Sequence, residues 1–138
     1  VVADGAVEVD AVLNISALKS GADILVFDEL QGICSVAEAA GATVKVILEC
    51  ALLTDDEKRR ACRLSVEAGA AFVKTSTGFG PGGATVDDVR LLRATVGDSV
   101  GVKAAGGIRT LEFARELLAT GADRLGTSVG IALLDAVS

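Results

Sequence analysis

The chain has no histidine, tryptophan, tyrosine or methionine, and a single proline among its 138 residues. Without histidine, the Ser-His-Asp and Cys-His schemes of nucleophilic catalysis are excluded, and so is every His-ligated zinc or iron site. Aldol or hydrolytic chemistry must then use lysine, carboxylate or water. Four Phe are the only aromatics, so the core has to be built from Val, Leu, Ile and Ala, a composition that suits parallel strands buried on both faces. The lack of any Met leaves a processed, trimmed or excised chain as the expectation. No apolar run reaches membrane length and no signal peptide is discernible.

What is present supports one compact domain over residues 1–138, since 51% of the residues are hydrophobic. The net charge of −6 argues against nucleic acid as a partner. It leaves room for a small anionic substrate, because Lys74, Lys103 and Arg109 would form a local cationic pocket on an acidic body. Cys34, Cys50 and Cys62 are odd in number and lack metal or redox spacing. They read as buried thiols of a protein in a reducing cytoplasm.

One unit repeats along the chain: a helix ending in Gly, an apolar strand, then a polar turn. Gly5-Ala6 precedes VEVDAVLN, Gly41-Ala42 precedes TVKVILE, Gly69-Ala70 precedes AFVKTS, Gly97 closes a helix before VGVKA, and Gly121-Ala122 precedes DRLGTS. Glycine accepts the left-handed conformation that ends a helix. Helix starts are equally legible. Thr54 and Glu57 form a capping box, Thr85 opens a helix with Val86, Val89 and Leu92 on one stripe, and Thr110 opens another with Leu111, Ala114, Leu117 and Leu118 as its buried face. Residues 22–40 read as a longer apolar helix interrupted by Gly32. This rhythm predicts an α/β fold with parallel pairing through right-handed crossovers. A closed barrel of this kind needs eight βα units and about 250 residues, whereas about five units are present. The sheet is therefore expected to be open, completed by another chain, or part of a barrel whose first part is missing.

Two lysines stand near strand ends, each ahead of a Gly-rich turn: Lys74 in FVKTSTGFGPGG and Lys103 in VGVKAAGGIR. Alternation puts Phe72, Lys74 and Ser76 on one face, and Gly101, Lys103 and Ala105 on one face. A lysine amine titrates near 10.4 unless a neighbouring cation or burial disfavours its charge. Paired, the two suggest an amine nucleophile beside a second cation. Asp10 in EVDAVLN is the best placed carboxylate to shuttle protons. The turns carrying Gly78, Gly106-Gly107 with Arg109, and Gly126 would turn backbone N–H groups toward one space, as phosphate sites over the last strands of βα arrays do.

KVILECALLTDDEKRRAC, AGAAFVKTSTGFGPGGATVDDVRLLR, VGVKAAGGIRT and GADRLGTSVG closely resemble bacterial deoxyribose-phosphate aldolase. The resemblance covers nearly the whole chain and is weakest over residues 22–40. It implies a (β/α)8 TIM-barrel fold, here incomplete or oligomer-completed, because the family has three more strands ahead of the point matching Val1. It implies a class I aldolase, a lyase of deoxyribose phosphate catabolism, cleaving 2-deoxy-D-ribose 5-phosphate to D-glyceraldehyde 3-phosphate and acetaldehyde with no cofactor and no metal. By motif, Lys74 would form the Schiff base, Lys103 would perturb its pKa, Asp10 would be the relay carboxylate and Lys45 would line the same site. Gly78, Gly106, Gly107, Arg109, Gly126 and Ser128 would hold the phosphate. The exposed strand edges of a partial barrel are expected to be buried in a homo-oligomer or against a missing N-terminal piece. The alternative is a non-catalytic or truncated phosphate-binding barrel fragment.

Overall fold

The computed structural model describes residues 7–127. Five strands alternate with helices: β1 (Glu8–Val12), α1 (Ile15–Lys19), α2 (Asp23–Ala39), β2 (Thr43–Ile47), α3 (Asp55–Ala68), β3 (Phe72–Lys74), α4 (Val86–Val96), β4 (Gly101–Ala105), α5 (Leu111–Thr120) and β5 (Arg124–Gly126). The sheet is parallel throughout, and its strands lie side by side in chain order. Such an order winds in one direction, as a barrel does, without the reversal of a doubly wound sheet. No described helix is long and apolar enough to cross a membrane.

Local chemistry sets the boundaries. Thr54 and Glu57 make the reciprocal capping box at the start of α3, and the hydroxyls of Thr85 and Thr110 accept from the amides of Asp88 and Phe113 at the starts of α4 and α5. Gly69 ends α3 at φ 103°, where a side chain would be strained. The helix expected to break at Gly32 does not break: α2 runs through it for 17 residues. Burial of Val26, Leu30, Cys34 and Ala37 along one stripe outweighs the roughly 1 kcal/mol helix cost of one glycine. In α5, Leu117 is buried but Leu118 is 47% exposed. Successive residues point 100° apart around a helix, and Phe113, with Ala114, takes up the packing that the periodic reading gave to Leu118.

The two faces of the sheet differ. Val44, Val46, Val73, Val102 and Ala104 are buried on one face, in a core completed by Leu18, Leu48, Leu92 and Leu117. The other face carries Glu8, Asp10, Lys45, Phe72, Lys74, Lys103 and Arg124, by strand alternation and register. The core is indeed Val, Leu, Ile and Ala, but burial on both faces is incomplete: on the charged face Lys45 is buried, Glu8, Phe72, Lys74 and Lys103 are part-buried, and Asp10 and Arg124 are exposed. Cys34, Cys50 and Cys62 are free and buried. Burial raises all three thiols, Cys62 to about 12, which keeps them protonated and poorly nucleophilic.

Candidate active site

Parallel register converts spacing along the chain into adjacency across the sheet. Lys74 on β3 pairs with Lys103 on β4, and Asp10 on β1 pairs with Lys45 on β2. The Lys74 amine donates to Asp10 Oδ2 at 3.1 Å. Lys45 is 6% exposed and lies 2.7 Å from Glu8 Oε2 and 3.6 Å from Asp10 Oδ1. Arg124 reaches back from β5 to Glu8 Oε1 at 2.6 Å, with its guanidinium 4.4 Å from the centre of the Phe72 ring. The chain is thus Arg124, Glu8, Lys45, Asp10, Lys74, with Lys103 beside its end. Four cations surround two carboxylates, which leaves local positive charge on an acidic protein.

That surplus moves the titrations. Burial, and then the charges of Lys45 and Lys74, hold the Lys103 amine below the usual lysine range. Burial pushes the Asp10 carboxyl up, but the Lys74 hydrogen bond and the charges of Lys74, Lys45 and Lys103 outweigh it and leave Asp10 below its ordinary value. Hydrogen bonds from Lys45 and Arg124 bring Glu8 down to about 2. At neutral pH both carboxylates are ionised.

Above this charged layer is a cleft of about 320 Å³. Lys74, Gly78, Gly106, Gly107, Arg109 and Gly126 line it together, with Thr77, Phe79 and Thr127 among the remaining walls. The glycines do separate jobs. Gly106 and Gly107 adopt φ 91° and 72°, which L side chains rarely do. At Gly126 an added Cβ would come within 3.3 Å of Lys103 Cε, so the absence of a side chain leaves that amine its space. Arg109 is exposed at the rim and makes no ion pair among the described residues. A larger and more open depression of about 590 Å³ lies at the opposite end of the strands. Its cation, Arg93, is committed to Asp123 and to the carbonyls of Gly97, Val100 and Gly121, so it offers little to an anion.

The residues singled out in the sequence thus fall into two adjoining groups. Asp10, Lys74 and Lys103 meet in the charged layer. The glycines and Arg109 form the cleft, and Lys74 belongs to both. Lys45 does not line the cleft; it is buried between Glu8 and Asp10. Ser128 lies outside the described residues. Three contributors were not anticipated. Glu49 accepts from the Thr77 hydroxyl at 2.6 Å. The buried Thr75 hydroxyl donates to Ala105 O and accepts from Ala105 N, clamping β3 to β4. Gly83 packs on the Gly106 carbonyl, which accepts from Ala84 N at 2.9 Å. Only the glycine content of GFGPGG hinted at the last.

Residues 1–135 match the model of the DeoC/LacD family of aldolases. The deoxyribose-phosphate aldolase of Methanothermobacter thermautotrophicus is 58% identical over 135 residues, which are 97% of this chain and 59% of that protein. That of Bacillus cereus is 55% identical over 133 residues, 96% of this chain and 59% of its relative. Among solved structures, the aldolase QR15 superposes with a TM-score of 0.91 at 45% identity, covering 99% of this chain and 61% of its own. The tetrameric deoxyribose phosphate aldolase of Aeropyrum pernix superposes at 0.89 with 36% identity, covering 99% and 57%. The chain therefore spans about three fifths of the length of these relatives, and its five βα units are a portion of their TIM barrel. With the family model matched over nearly every residue, the chain belongs to the DeoC/LacD aldolase family.

Proposed function

We propose that residues 1–138 form one partial-barrel domain carrying the catalytic half of a class I aldolase, which cleaves 2-deoxy-D-ribose 5-phosphate reversibly to D-glyceraldehyde 3-phosphate and acetaldehyde. The observation that carries this reading is the position of Lys74, the one residue shared by the Asp10 charge cluster and the glycine-lined cleft. The Lys74 amine attacks the aldehyde carbon C1, and loss of water from the carbinolamine gives an iminium. Asp10, ionised and adjacent, takes the proton of the C3 hydroxyl. The C2–C3 bond breaks, its electrons pass to the iminium to form an enamine, and C3 leaves as the new aldehyde. Protonation at C2 and hydrolysis of the regenerated iminium release acetaldehyde and the free amine. Lys103, paired with Lys74 across β3 and β4, sets a second cation beside the amine, while the backbone amides around Gly78, Gly106 and Gly107, with Arg109, receive the phosphate.

The exposed faces support self-association. The described sheet ends in β1 and β5, and Val12 on β1 and Ile24 and Val36 on α2 are exposed. A homo-oligomer would cover such surfaces, and buried free thiols suit a cytoplasmic protein.

Borohydride trapping with acetaldehyde, read by peptide mass, tests the assignment. A two-carbon adduct on Lys74 that disappears in Lys74→Ala is expected. An adduct on Lys103 would transfer the nucleophile to the amine with the depressed pKa. A second reading, a phosphate-binding module without turnover, draws on the exposure of Asp10 on the edge strand β1. A relay carboxylate displaced by about 1 Å costs about 10²-fold in rate. Sugar phosphate binding by calorimetry with no adduct on either lysine would favour the module.

A further inference from the structure

We propose that Glu49 is a positioning residue that latches the loop after Lys74 onto the end of β2, and so holds the cleft wall in register with the lysine. The functional half of this inference rests on the reading of Lys74 above; the latch itself does not.

Glu49 is the one non-glycine residue with positive φ among the described residues, at φ 55° and ψ 62°. An L residue with a long side chain adopts that conformation at a cost, and such residues persist where the surroundings over-determine them. Here the surroundings are identifiable. The amides on either side bind β3 and its continuation, Leu48 N to Lys74 O at 2.9 Å and Cys50 N to Thr75 O at 2.8 Å. Between these two anchors the chain turns, and the Glu49 side chain, 5% exposed, is placed beneath residues 77–80. One carboxylate oxygen accepts from Thr77 N at 3.3 Å and the other from the Thr77 hydroxyl at 2.6 Å. The same hydroxyl accepts from Phe79 N at 3.1 Å. Gly80 closes the contact, since an added Cβ there would lie 2.7 Å from the Glu49 carboxyl carbon.

The fastened segment begins three residues after Lys74, and its Thr77, Gly78 and Phe79 line the cleft. A carboxylate is suited to this task. It offers two acceptors to one residue's N–H and O–H, and charge-assisted bonds of this kind are stronger than neutral ones. Glu49 approaches none of the lysines within ion-pair distance among the described residues, so its charge is directed at the loop. Its role is to fix the loop's shape, and through it the position of the Lys74 amine relative to the phosphate-binding amides.

The test compares the full chain with Glu49→Asn and Thr77→Val. Asn tolerates positive φ but is too short to reach Thr77, so it separates the backbone turn from the latch. Thr77→Val removes the hydroxyl and leaves Glu49 in place. Amide hydrogen exchange at Thr77 and Phe79, thermal midpoint, affinity for inorganic phosphate, and the rate of acetaldehyde trapping at Lys74 are measured on each. In Glu49→Asn the midpoint should fall by about 5–9 °C while the Thr77 amide exchanges roughly tenfold to a hundredfold faster, phosphate affinity drops and trapping slows. Glu49→Gln, which keeps the reach, should recover part of each. Should Glu49→Asn unfold, Thr77→Val decides, with faster exchange expected at Phe79. Unchanged exchange in folded variants overturns the latch, and faster exchange with unchanged phosphate affinity and trapping overturns its functional role. If the wild-type chain yields no adduct, the aldolase reading fails, while exchange and phosphate affinity still decide the latch.

Discussion

Gly83→Ala is a one-atom perturbation with a calculable consequence for the cleft. An ideal Cβ at position 83 would lie 2.3 Å from Gly106 O and 2.5 Å from Gly106 C. Ordinary contact for a Cβ begins at 3.4 Å, so the two loops must part by about 1.1 Å. The obstacle is backbone and has no rotamer in which to retreat. Forced repacking of this size costs about 1–3 kcal/mol. The bond from Ala84 N to Gly106 O, 2.9 Å long, would stretch or break for a further ~0.5–1.5 kcal/mol. The total is about 1.5–4.5 kcal/mol. With about 2.1 cal/mol/K of unfolding entropy per residue, a chain of this size has about 0.3 kcal/mol/K, and the midpoint should fall by about 5–15 °C.

The functional loss should exceed what the midpoint suggests. Gly106 and Gly107 line the cleft, and displacing the groups that hold a substrate by about 1 Å costs about 10²-fold in rate. The assay pairs differential scanning calorimetry with phosphate titration and adduct trapping at Lys74, well below the transition. Gly32→Ala is the control for the substitution itself, because an added Cβ there meets nothing within 4 Å. A Gly83→Ala protein with wild-type midpoint and wild-type phosphate affinity would refute the reasoning, since the loops would then have room the geometry denies them.

Gly32→Ala should itself stabilise the protein by about 0.5–1 kcal/mol, raising the midpoint by a few degrees, because Gly32 sits exposed inside α2. Glu8→Gln should flatten the acid limb of the stability profile. The Glu8 carboxyl is held at about 2 against an ordinary 4.5, and a lowered pKa contributes stability above the unfolded value that is lost as pH falls through the folded one. The wild type should therefore lose stability between pH 4.5 and 2 more steeply than Glu8→Gln, measured by urea unfolding at each pH.

The elements that sequence made legible are those governed by local chemistry. Thr54 with Glu57, and Gly69 at a left-handed turn, act through atoms within a few residues, so their pattern carries its own explanation. The alternation that placed Lys74 and Lys103 on one face is equally local, and parallel pairing did the rest. Leu118 fails because periodicity assigns a helix face without knowing how wide a stripe the sheet will cover. Gly32 fails because its local penalty is smaller than the burial of the stripe beside it.

What could not be read depends on partners remote in sequence. Arg124 and Glu8 are 116 positions apart, and only the winding of five units brings them together across the charged face. Lys45 resembles Lys74 and Lys103 in its setting, a lysine in an apolar run, yet it is buried between two carboxylates while Lys74 opens onto the cleft. Depth along the strand makes the difference: Lys45 is level with Phe72, one full pleat below the row of Lys74 and Lys103. Glu49 is the extreme case, because the run KVILEC reads as strand to its end. Its left-handed turn follows from anchors on Lys74 and Thr75 and from a hydroxyl at position 77, none of which a local pattern encodes. The chemistry was therefore visible as residue types, whereas its ordering into a charge layer on one face of the sheet, an amine at the boundary and a cleft above it arises from register between strands.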